Sequence, residues 1–304
     1  MELASAQAGD TVVVLDIGQT RENNQIFHPI REEYERMTNR ISVQKDGLAL
    51  RFLETCRDRD GDEESLINIV NGTVATLSAL FRLGARQQAA LRLAILFAVE
   101  NREKYESELQ AVGEGLLQQE SSSALAVHER LWTLLNLDVM GKGKKKLLPG
   151  KLNIVSFTGL DEITRRLLCE LLLLVLWRKV QMFGQQQKRD VIISLDEFQA
   201  LSLREGSALR GILREGRKFN VSLYLATQTV TTFPVEVISL LHQSGTHLYF
   251  APPVNEVPKT AKEIDPTNYK QWQKKLKNLS VGESVSLGSF MLGDNLINRP
   301  LILQ

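Results

Sequence analysis

The sequence predicts an α/β protein in which a mostly parallel sheet is flanked by helices and interrupted by an all-helical insertion. Beyond Gly150, short apolar and β-branched runs alternate with longer stretches of helical spacing, the order that βαβ units produce. Between Glu64 and Leu137 the chain is instead rich in Ala, Leu, Gln and Glu. That composition with a helical period indicates a block of helices rather than strands.

The amino-terminal part supplies the first strand. Thr11–Asp16 (TVVVLD) is a β-branched run that ends on an acid, as in a buried strand of a parallel sheet. Ile26–Ile30 and Ala49–Leu53 are apolar enough for two further short strands, with the charged stretch Arg31–Arg40 between them. We therefore expect up to three strands ahead of the insertion.

The helical block follows. Three segments have helical spacing and few β-branched runs: Ser65–Leu83, Ala85–Asn101 and Ser122–Leu137. We expect three or four helices here, with residues 61–144 inserted into a core formed by 1–60 and 145–304. The block ends in the lysine-rich run Gly141–Lys146, which is either a solvated mobile loop, the commoner use of such a run, or a phosphate contact.

The carboxy-terminal half alternates strands with helices. The expected strands are Leu152–Phe157, Asp190–Leu195, Val221–Ala226 and Thr246–Phe250. The expected helices are Glu162–Met182, Ser207–Lys218 and Val235–Gln243. The last part adds a helix at Asn268–Asn278 and two edge strands at Glu283–Leu287 and Arg299–Leu303. Alternation of this kind predicts parallel pairing of the strands, with a helix in each connection.

Composition limits the function. The 304 residues include 37 Lys and Arg against 36 Asp and Glu, so a formal net charge of +1 argues against a uniformly basic surface but allows a local basic strip. Cys56 and Cys169 form no CxxC pair, and a zinc site is not expected. No signal peptide begins the chain, and the most apolar run, Leu171–Trp177, is far shorter than the roughly 20 residues that span a bilayer. We expect a cytoplasmic protein without membrane insertion.

The sharpest motif is an apolar strand that ends in two consecutive acids, Val191–Gln199 (VIISLDEFQ). A rigid strand can hold the first carboxylate, Asp196, beside Mg²⁺, and the second, Glu197, can polarise an attacking water as a general base. The alternative interpretation makes the pair a helix N-cap with a favourable dipole partner. The motif alone does not separate these alternatives.

Three polar residues downstream strengthen the first interpretation. Gln228 ends the next predicted strand, where a sensor of the γ-phosphate would lie at the ligand-binding edge of a parallel sheet. Arg214 and Arg217 end the intervening helix, from which an exposed arginine can reach the phosphates of a neighbouring subunit. The alternatives are helix C-terminal charge compensation for the arginines and a strand cap for Gln228. The order of these residues within so short a stretch favours nucleotide hydrolysis.

These motifs resemble the second half of the ATPases of the HerA/FtsK superfamily, which includes HerA-like helicases, TraG-like coupling proteins of conjugation and HerA-like subunits of restriction systems. The resemblance lies in Asp196-Glu197-Phe-Gln, Leu-Arg-Glu-Gly-Arg217-Lys and Ala-Thr-Gln228, and roughly two thirds of the chain matches in pattern. It implies a RecA-like fold, ATP and Mg²⁺ as cofactors and a homo-hexamer that acts on DNA. Asp16, at the end of the first strand, would lie near the nucleotide or cap a turn.

The phosphate-binding loop of that superfamily, G-x-x-x-x-G-K-[ST], does not occur in the sequence. In the superfamily it precedes the strand that Thr11–Asp16 resembles, and the chain begins too late to hold it. Two explanations stay open: a boundary that cuts through the domain, which the retained motif residues favour, or a degenerate subunit that has become a scaffold. We expect the chain by itself not to hydrolyse ATP.

The predicted function is part of an ATP-driven, hexameric DNA translocase or helicase-type motor. DNA processing or restriction and defence comes first, with accessory nuclease or defence subunits as partners. The alternatives are a motor of conjugation or type IV secretion, and a non-hydrolytic assembly scaffold in which the helical block binds a partner. Mg²⁺-dependent nucleotide binding would separate the motor from the scaffold.

Overall fold

The computed structural model describes residues 2–17, 31–58, 60–136, 139–140, 144–183, 190–228, 233–243, 245–288, 290–292, 295–297 and 300–303. The chain forms two compact units, Met1–Gln228 and Thr229–Gln304. The first unit is built around a parallel sheet and the second around an antiparallel one.

The sheet of the first unit has five strands, all parallel, in the order β2-β3-β1-β4-β5. These strands are β1 (Thr11–Asp16), β2 (Thr38–Ser42), β3 (Leu152–Ser156), β4 (Val191–Leu195) and β5 (Val221–Leu225). Every residue of β1 from Val12 to Asp16 is buried, which explains its unbroken β-branched sequence. β5 lies at the edge of the sheet, and its residues Leu223–Leu225 are only half-buried.

The helices of the first unit are α1 (Glu2–Gln7), α2 (Arg31–Met37), α3 (Val43–Asp46), α4 (Leu66–Phe81), α5 (Ala85–Asn101), α6 (Glu108–Leu117), α7 (Ser122–Leu135), α8 (Glu162–Phe183) and α9 (Ala208–Glu215). Short 3₁₀ turns lie after α5 (Arg102–Lys104), after β4 (Phe198–Ala200) and after α9 (Gly216–Phe219). α8 connects β3 with β4, which lie on either side of β1. Its run Leu171–Leu174 is buried, because the helix is apolar on most of its circumference.

The predicted helical block is present as α4–α7. Ser107 and Ser121 cap α6 and α7 through side-chain oxygens that accept from the backbone N–H three residues on, at 3.1 Å in both cases. α5 and α6 approach closely at Gly115, where a Cβ atom would lie 2.9 Å from the Ala94 carbonyl oxygen. The small residue therefore sets the distance between these two helices.

A buried ion pair joins α8 to the segment that leads into α4. The Arg178 guanidinium donates through Nε to Glu64 Oε1 at 2.9 Å and through Nη2 to Glu64 Oε2 at 2.6 Å. It also donates to the carbonyl oxygens of Phe52 and Glu54. Both side chains are almost fully shielded from solvent, so this arginine organises the irregular segment between β2 and α4.

The second unit has a three-stranded antiparallel sheet in the order β10-β7-β6 and a separate hairpin of β8 and β9. Its elements are α10 (Val235–Leu241), β6 (Thr246–Tyr249), α11 (Val257–Ile264), α12 (Tyr269–Lys277), β7 (Ser284–Gly288), β8 (Phe290–Leu292), β9 (Asn295–Ile297) and β10 (Leu301–Leu303). Its core consists of buried residues from α11, α12 and β7: Val257, Ala261, Ile264, Trp272, Leu276 and Val285.

Several expected elements differ from the structure. Ala49–Leu53 is not a strand, because side chains occupy its backbone groups: Arg102 donates to the Leu53 carbonyl at 3.0 Å, and the Leu53 N–H donates to Glu108 at 2.9 Å. The charged stretch instead forms α2 and β2, and α11 was not predicted. The expected strand Ile26–Ile30 lies outside the described residues.

Other expectations concern the lysine run, the domains and the bilayer. Residues 141–143 of the lysine-rich run lie outside the described part, whereas Lys145 pairs with Asp46 at 3.0 Å and donates to the Arg40 carbonyl. The division into a core and an insertion at 61–144 stays a prediction. Along the described residues, no helix combines the length and apolar character that crossing a bilayer requires.

Candidate active site

The predicted site residues converge at the carboxyl edge of the parallel sheet. β1 and β4 pair in register up to Leu15 and Leu195, so Asp16 and Asp196 each stand one residue beyond the last pair. β5 pairs with β4 up to Leu225, three residues before Gln228. Because all three strands are parallel, their last residues meet at one edge, where parallel sheets place ligands.

The backbone after β4 turns sharply at Glu197. This residue has φ 54° and ψ 43°, in the left-handed region that a residue with a Cβ atom rarely occupies. The Glu197 N–H donates to Asp196 Oδ1 at 3.0 Å. Beyond the turn the Phe198 N–H donates to the Ala226 carbonyl at 3.2 Å, which fixes the segment to the end of β5. The unusual conformation is therefore held by its surroundings.

The turn aims the Glu197 carboxylate at the neighbouring strand. Gln228 Nε2 donates to Glu197 Oε1 at 2.8 Å across 31 residues of sequence. Glu197 is half-buried and Gln228 is exposed, so the contact lies at the surface of the edge. The structure thus brings together the predicted general base and the predicted sensor, whose roles stay predictions.

The two arginines differ in their surroundings. Arg214 Nη1 lies 3.2 Å from Glu205 Oε1, so its charge is engaged within the chain. Arg217 lies in the 3₁₀ turn after α9 and is exposed. In the part of the chain that the structure describes, no hydrogen bond or ion pair joins either arginine to the Glu197–Gln228 contact. The role of Arg217 toward another subunit stays a prediction.

Asp16 and Asp196 differ in exposure. Asp16 is 1% exposed at the end of the central strand β1, whereas Asp196 is half-buried. A divalent cation held by one carboxylate, with water and phosphate oxygens as its other ligands, fits the exposure of Asp196. The described residues contain no cluster of three or more His, Cys, Asp or Glu side chains that would hold a metal by itself. Asp196 is thus the candidate Mg²⁺ ligand, and nucleotide phosphates would complete the coordination.

The fit to a whole nucleotide is partial. Phosphate oxygens need a cradle of backbone N–H groups and a lysine, and the sequence contains no G-x-x-x-x-G-K-[ST] loop to supply them. The edge therefore offers groups for the metal and the attacking water, whereas this sequence lacks the standard phosphate cradle.

One supporting residue is visible only in the structure. Glu170 on α8 is fully buried, and its Oε1 accepts from the backbone N–H of Ser202, five residues beyond Glu197. Burial raises the pKa of Glu170 to about 7, and the hydrogen bond from Ser202 opposes that shift. The only signal in the sequence was a single acid within a run of leucines. Glu170 holds the segment that follows the turn at Glu197.

The fold and the edge residues together define the class of protein: a RecA-like α/β protein with an Asp-Glu strand beside a Gln-ended strand. No protein-family model and no curated protein matches the chain. Among solved structures it is similar to VirB4 of Thermoanaerobacter pseudethanolicus, with 17% identity, a TM-score of 0.66, and coverage of 97% of this chain and 82% of that chain.

The chain is also similar to the plasmid coupling protein TrwB. In complex with the non-hydrolysable ATP analogue ADPNP, TrwB matches with 12% identity, a TM-score of 0.57, and coverage of 98% of this chain and 86% of that chain. In complex with ADP and Mg²⁺ it matches with 13% identity, a TM-score of 0.53, and coverage of 92% and 83%. At such low identity these similarities establish the fold, and the fold implied by the resemblance is confirmed.

Proposed function

We propose that this chain is part of an ATP-driven motor that moves nucleic acid, of the kind found in conjugation and secretion. The observation that carries the proposal is the contact between Glu197 and Gln228 at the ends of adjacent parallel strands. In this proposal the Glu197 carboxylate lies beside the attacking water and the Gln228 amide beside the γ-phosphate. The similarity to a coupling protein crystallised with ADP and Mg²⁺ supports the same interpretation.

Each residue at the edge has a separate role in this proposal. Asp196 holds Mg²⁺, which when bound neutralises charge on the phosphates. Glu197 accepts the proton of the attacking water, and Gln228 orients Glu197 through their shared hydrogen bond. Asp16, buried at the end of β1, supports the edge beside Asp196.

The proposed motor is a homo-hexamer in which Arg217 reaches the phosphates of the adjacent subunit. Arg217 is exposed, whereas Arg214 is engaged with Glu205, so Arg217 is the better candidate for this role. Residues 1–60 and 145–304 form the motor core in this proposal, residues 61–144 form the insertion, and the motor works in the cytoplasm.

Conjugation or secretion is favoured over restriction and defence. TrwB, reported above as a similar protein, is described in its unbound form as a bacterial conjugative coupling protein. Those same similarities give no support to a nuclease or defence subunit as partner.

An assembly scaffold is the second candidate function, because the sequence lacks the phosphate-binding loop. In that case the α/β unit retains the fold without turnover, and the helices α4–α7 hold a partner. The residues of the edge argue against this candidate, since a scaffold has no need for an acid pair at the end of one strand and an amide bonded to it beyond the next.

ATP hydrolysis separates the two candidates. It is measured with and without DNA for the chain as printed and for a form extended upstream by about 50 residues, which tests whether a G-x-x-x-x-G-K-[ST] loop completes the site. We expect no turnover from the printed chain and turnover from the longer form. Glu197→Gln in the longer form should lower kcat by about 100-fold or more, since it removes the general base.

Glu129→Gln is the matched control, because Glu129 is exposed on α7, outside the site. If the longer form does not hydrolyse ATP, the result supports the scaffold. Turnover by the printed chain that Glu197→Gln abolishes would show that its phosphates are held in another way.

A further inference from the structure

Helices α11 and α12 of the second unit carry a concentration of positive charge. Six exposed lysines, here termed the lysine face, lie on these two helices: Lys259, Lys262, Lys270, Lys274, Lys275 and Lys277. The whole chain has a formal net charge of only +1. Acidic residues elsewhere in the chain balance these lysines in the net charge, so the chain carries a local basic surface although its net charge is close to zero.

The nearby acids do not neutralise the lysine face. Glu256 is buried at the start of α11, and the side chain of Glu263 lies 3.9 Å from His242. Asp265 accepts hydrogen bonds from the backbone N–H groups of Thr267 and Asn268 in the loop between the helices. In the described part of the chain, none of the six ammonium groups lies within 4.0 Å of a carboxylate oxygen. Their charge is directed to solvent.

The helical period keeps the lysines outward. Lys270, Lys274 and Lys277 follow at i, i+4 and i+7, which puts them on one side of α12 over about 10 Å. Trp272 and Leu276, on the other side, are buried in the core of the unit. The helix cannot rotate to hide its lysines without exposing these two apolar side chains.

Two lysines are also oriented by aromatic rings. Lys275 Nζ lies 4.2 Å from the centroid of the Trp272 ring, and Lys262 Nζ lies 5.6 Å from that of Tyr269. Such contacts reduce the freedom of the long side chains before any ligand binds. The lysine face is thus partly ordered in advance.

We propose that the lysine face binds the phosphate backbone of nucleic acid, independently of base sequence. Ammonium groups are point charges that bind phosphate without reading bases, and several of them at a spacing of a few ångströms match a regular polyanion. An anionic membrane would attract the same charges. However, α11 and α12, both fully described, expose no large apolar side chain that could enter a bilayer.

The proposal rests on the proposed function, because it names the surface by which the motor holds its nucleic acid. The experiment measures binding of the full chain to DNA of about 30 nucleotides, single-stranded and duplex, by fluorescence anisotropy between about 50 and 200 mM salt. The variant Lys270→Gln/Lys274→Gln/Lys277→Gln removes three charges from the exposed side of α12. We expect a loss of affinity of about tenfold or more at the lower salt and a decrease of about 3 in the slope of log K against log salt concentration.

The control variant Lys45→Gln/Lys104→Gln/Lys179→Gln removes the same charge from exposed lysines of the first unit. It should leave the affinity within about twofold and the slope within about one unit of the parent's. Equal losses in the two variants would overturn the proposal, as would binding to vesicles of anionic lipid without binding to DNA. Thermal unfolding of both variants, expected to match the parent, excludes misfolding as the cause.

Failure of this inference differs from failure of the motor. If the longer form hydrolyses ATP but the α12 variant binds DNA like the parent, the proposed motor function is supported and the role of the lysine face is contradicted. If no form hydrolyses ATP but DNA binding depends on the three lysines, the inference stands and the motor fails.

Discussion

Two glutamate contacts in the first unit contrast a structural role with a proposed functional one. Glu64 and Arg178 form a bidentate ion pair with side chains 4% and 6% exposed, and the arginine also binds two carbonyl oxygens. Glu197 and Gln228 share a single hydrogen bond at the surface. The first contact uses both carboxylate oxygens of Glu64, whereas the second uses only Oε1 of Glu197.

The backbone conformations of Arg178 and Glu197 also differ. The helix of Arg178 is regular, whereas Glu197 is held in the left-handed region at a cost of roughly 1–2 kcal/mol. Strain of this kind persists where the surrounding structure imposes it, and it is concentrated at functional sites. The comparison teaches that burial and complete pairing accompany a structural role in Glu64, whereas Glu197 combines partial pairing with a strained backbone, as its proposed role requires.

The largest expected effect comes from breaking the buried pair. Arg178→Met leaves the Glu64 carboxylate buried without its partner, so the free energy of unfolding should fall by about 3–5 kcal/mol in urea denaturation. The double variant Arg178→Met/Glu64→Leu removes both charges and should recover much of the loss. A loss below about 1 kcal/mol in the single variant would show that the pair does not organise the segment around it.

Glu170 offers an intermediate case, buried but bonded through one oxygen only, since its Oε2 has no partner among the described residues. Its pKa in the folded protein, about 7, lies above the ordinary 4.5, so between these pH values the folded state binds more protons than the unfolded state. The free energy of unfolding therefore falls as the pH rises through this window, by about 3 kcal/mol for a shift of this size, and is constant above it.

Glu170→Gln should remove this part of the pH dependence, measured by urea denaturation across the window. Burial also raises the pKa of Glu108 to about 7, so a second contribution of the same sign should remain in the Glu170→Gln protein. Glu129→Gln, at an exposed position, is the control that should keep the full slope. An unchanged slope in Glu170→Gln would contradict the assignment.

A smaller effect tests the strain. Glu197→Gly should raise the free energy of unfolding by about 1 kcal/mol, because glycine adopts positive φ without a steric cost. Glu120 also has a positive φ but lies outside the site, so Glu120→Gly should raise the free energy of unfolding by a similar amount. Glu129→Gly, within helix α7, should instead lose about 1 kcal/mol. A loss at position 197 like the loss at position 129 would mean that the turn is not strained.

The smallest effect is expected at the exposed contact itself. Gln228→Ala should change the free energy of unfolding by less than about 0.5 kcal/mol, because an exposed hydrogen bond is readily exchanged for water. In the longer form the same change should lower ATP turnover, since Glu197 loses its orienting partner. If Gln228→Ala lowered the free energy of unfolding as much as Arg178→Met, the Glu197–Gln228 contact would be structural like the Glu64–Arg178 pair.

Much of the fold was predictable from local pattern. The apolar runs that became β1, β3 and β4 were recognisable because strands buried on both faces are rich in apolar residues. β5, which is only half-buried, was recognisable from its place in the alternation of strands and helices. The predicted strand Ala49–Leu53 was wrong because Arg102, Arg178 and Glu108 bind its backbone, and none of them is near it in sequence. β2 was missed because Arg40 and Asn39 make it too polar to resemble a strand.

What the sequence determined by itself is the alternation of strands and helices and the position of Asp196, Glu197 and Gln228 at strand ends, since both follow from short-range order. What only the tertiary structure decided is which of these groups meet. The Glu197–Gln228 contact spans 31 residues, Glu170–Ser202 spans 32 and Glu64–Arg178 spans 114. Pairings at such separations depend on the order of strands in the sheet and on helix packing, which no local window of sequence contains.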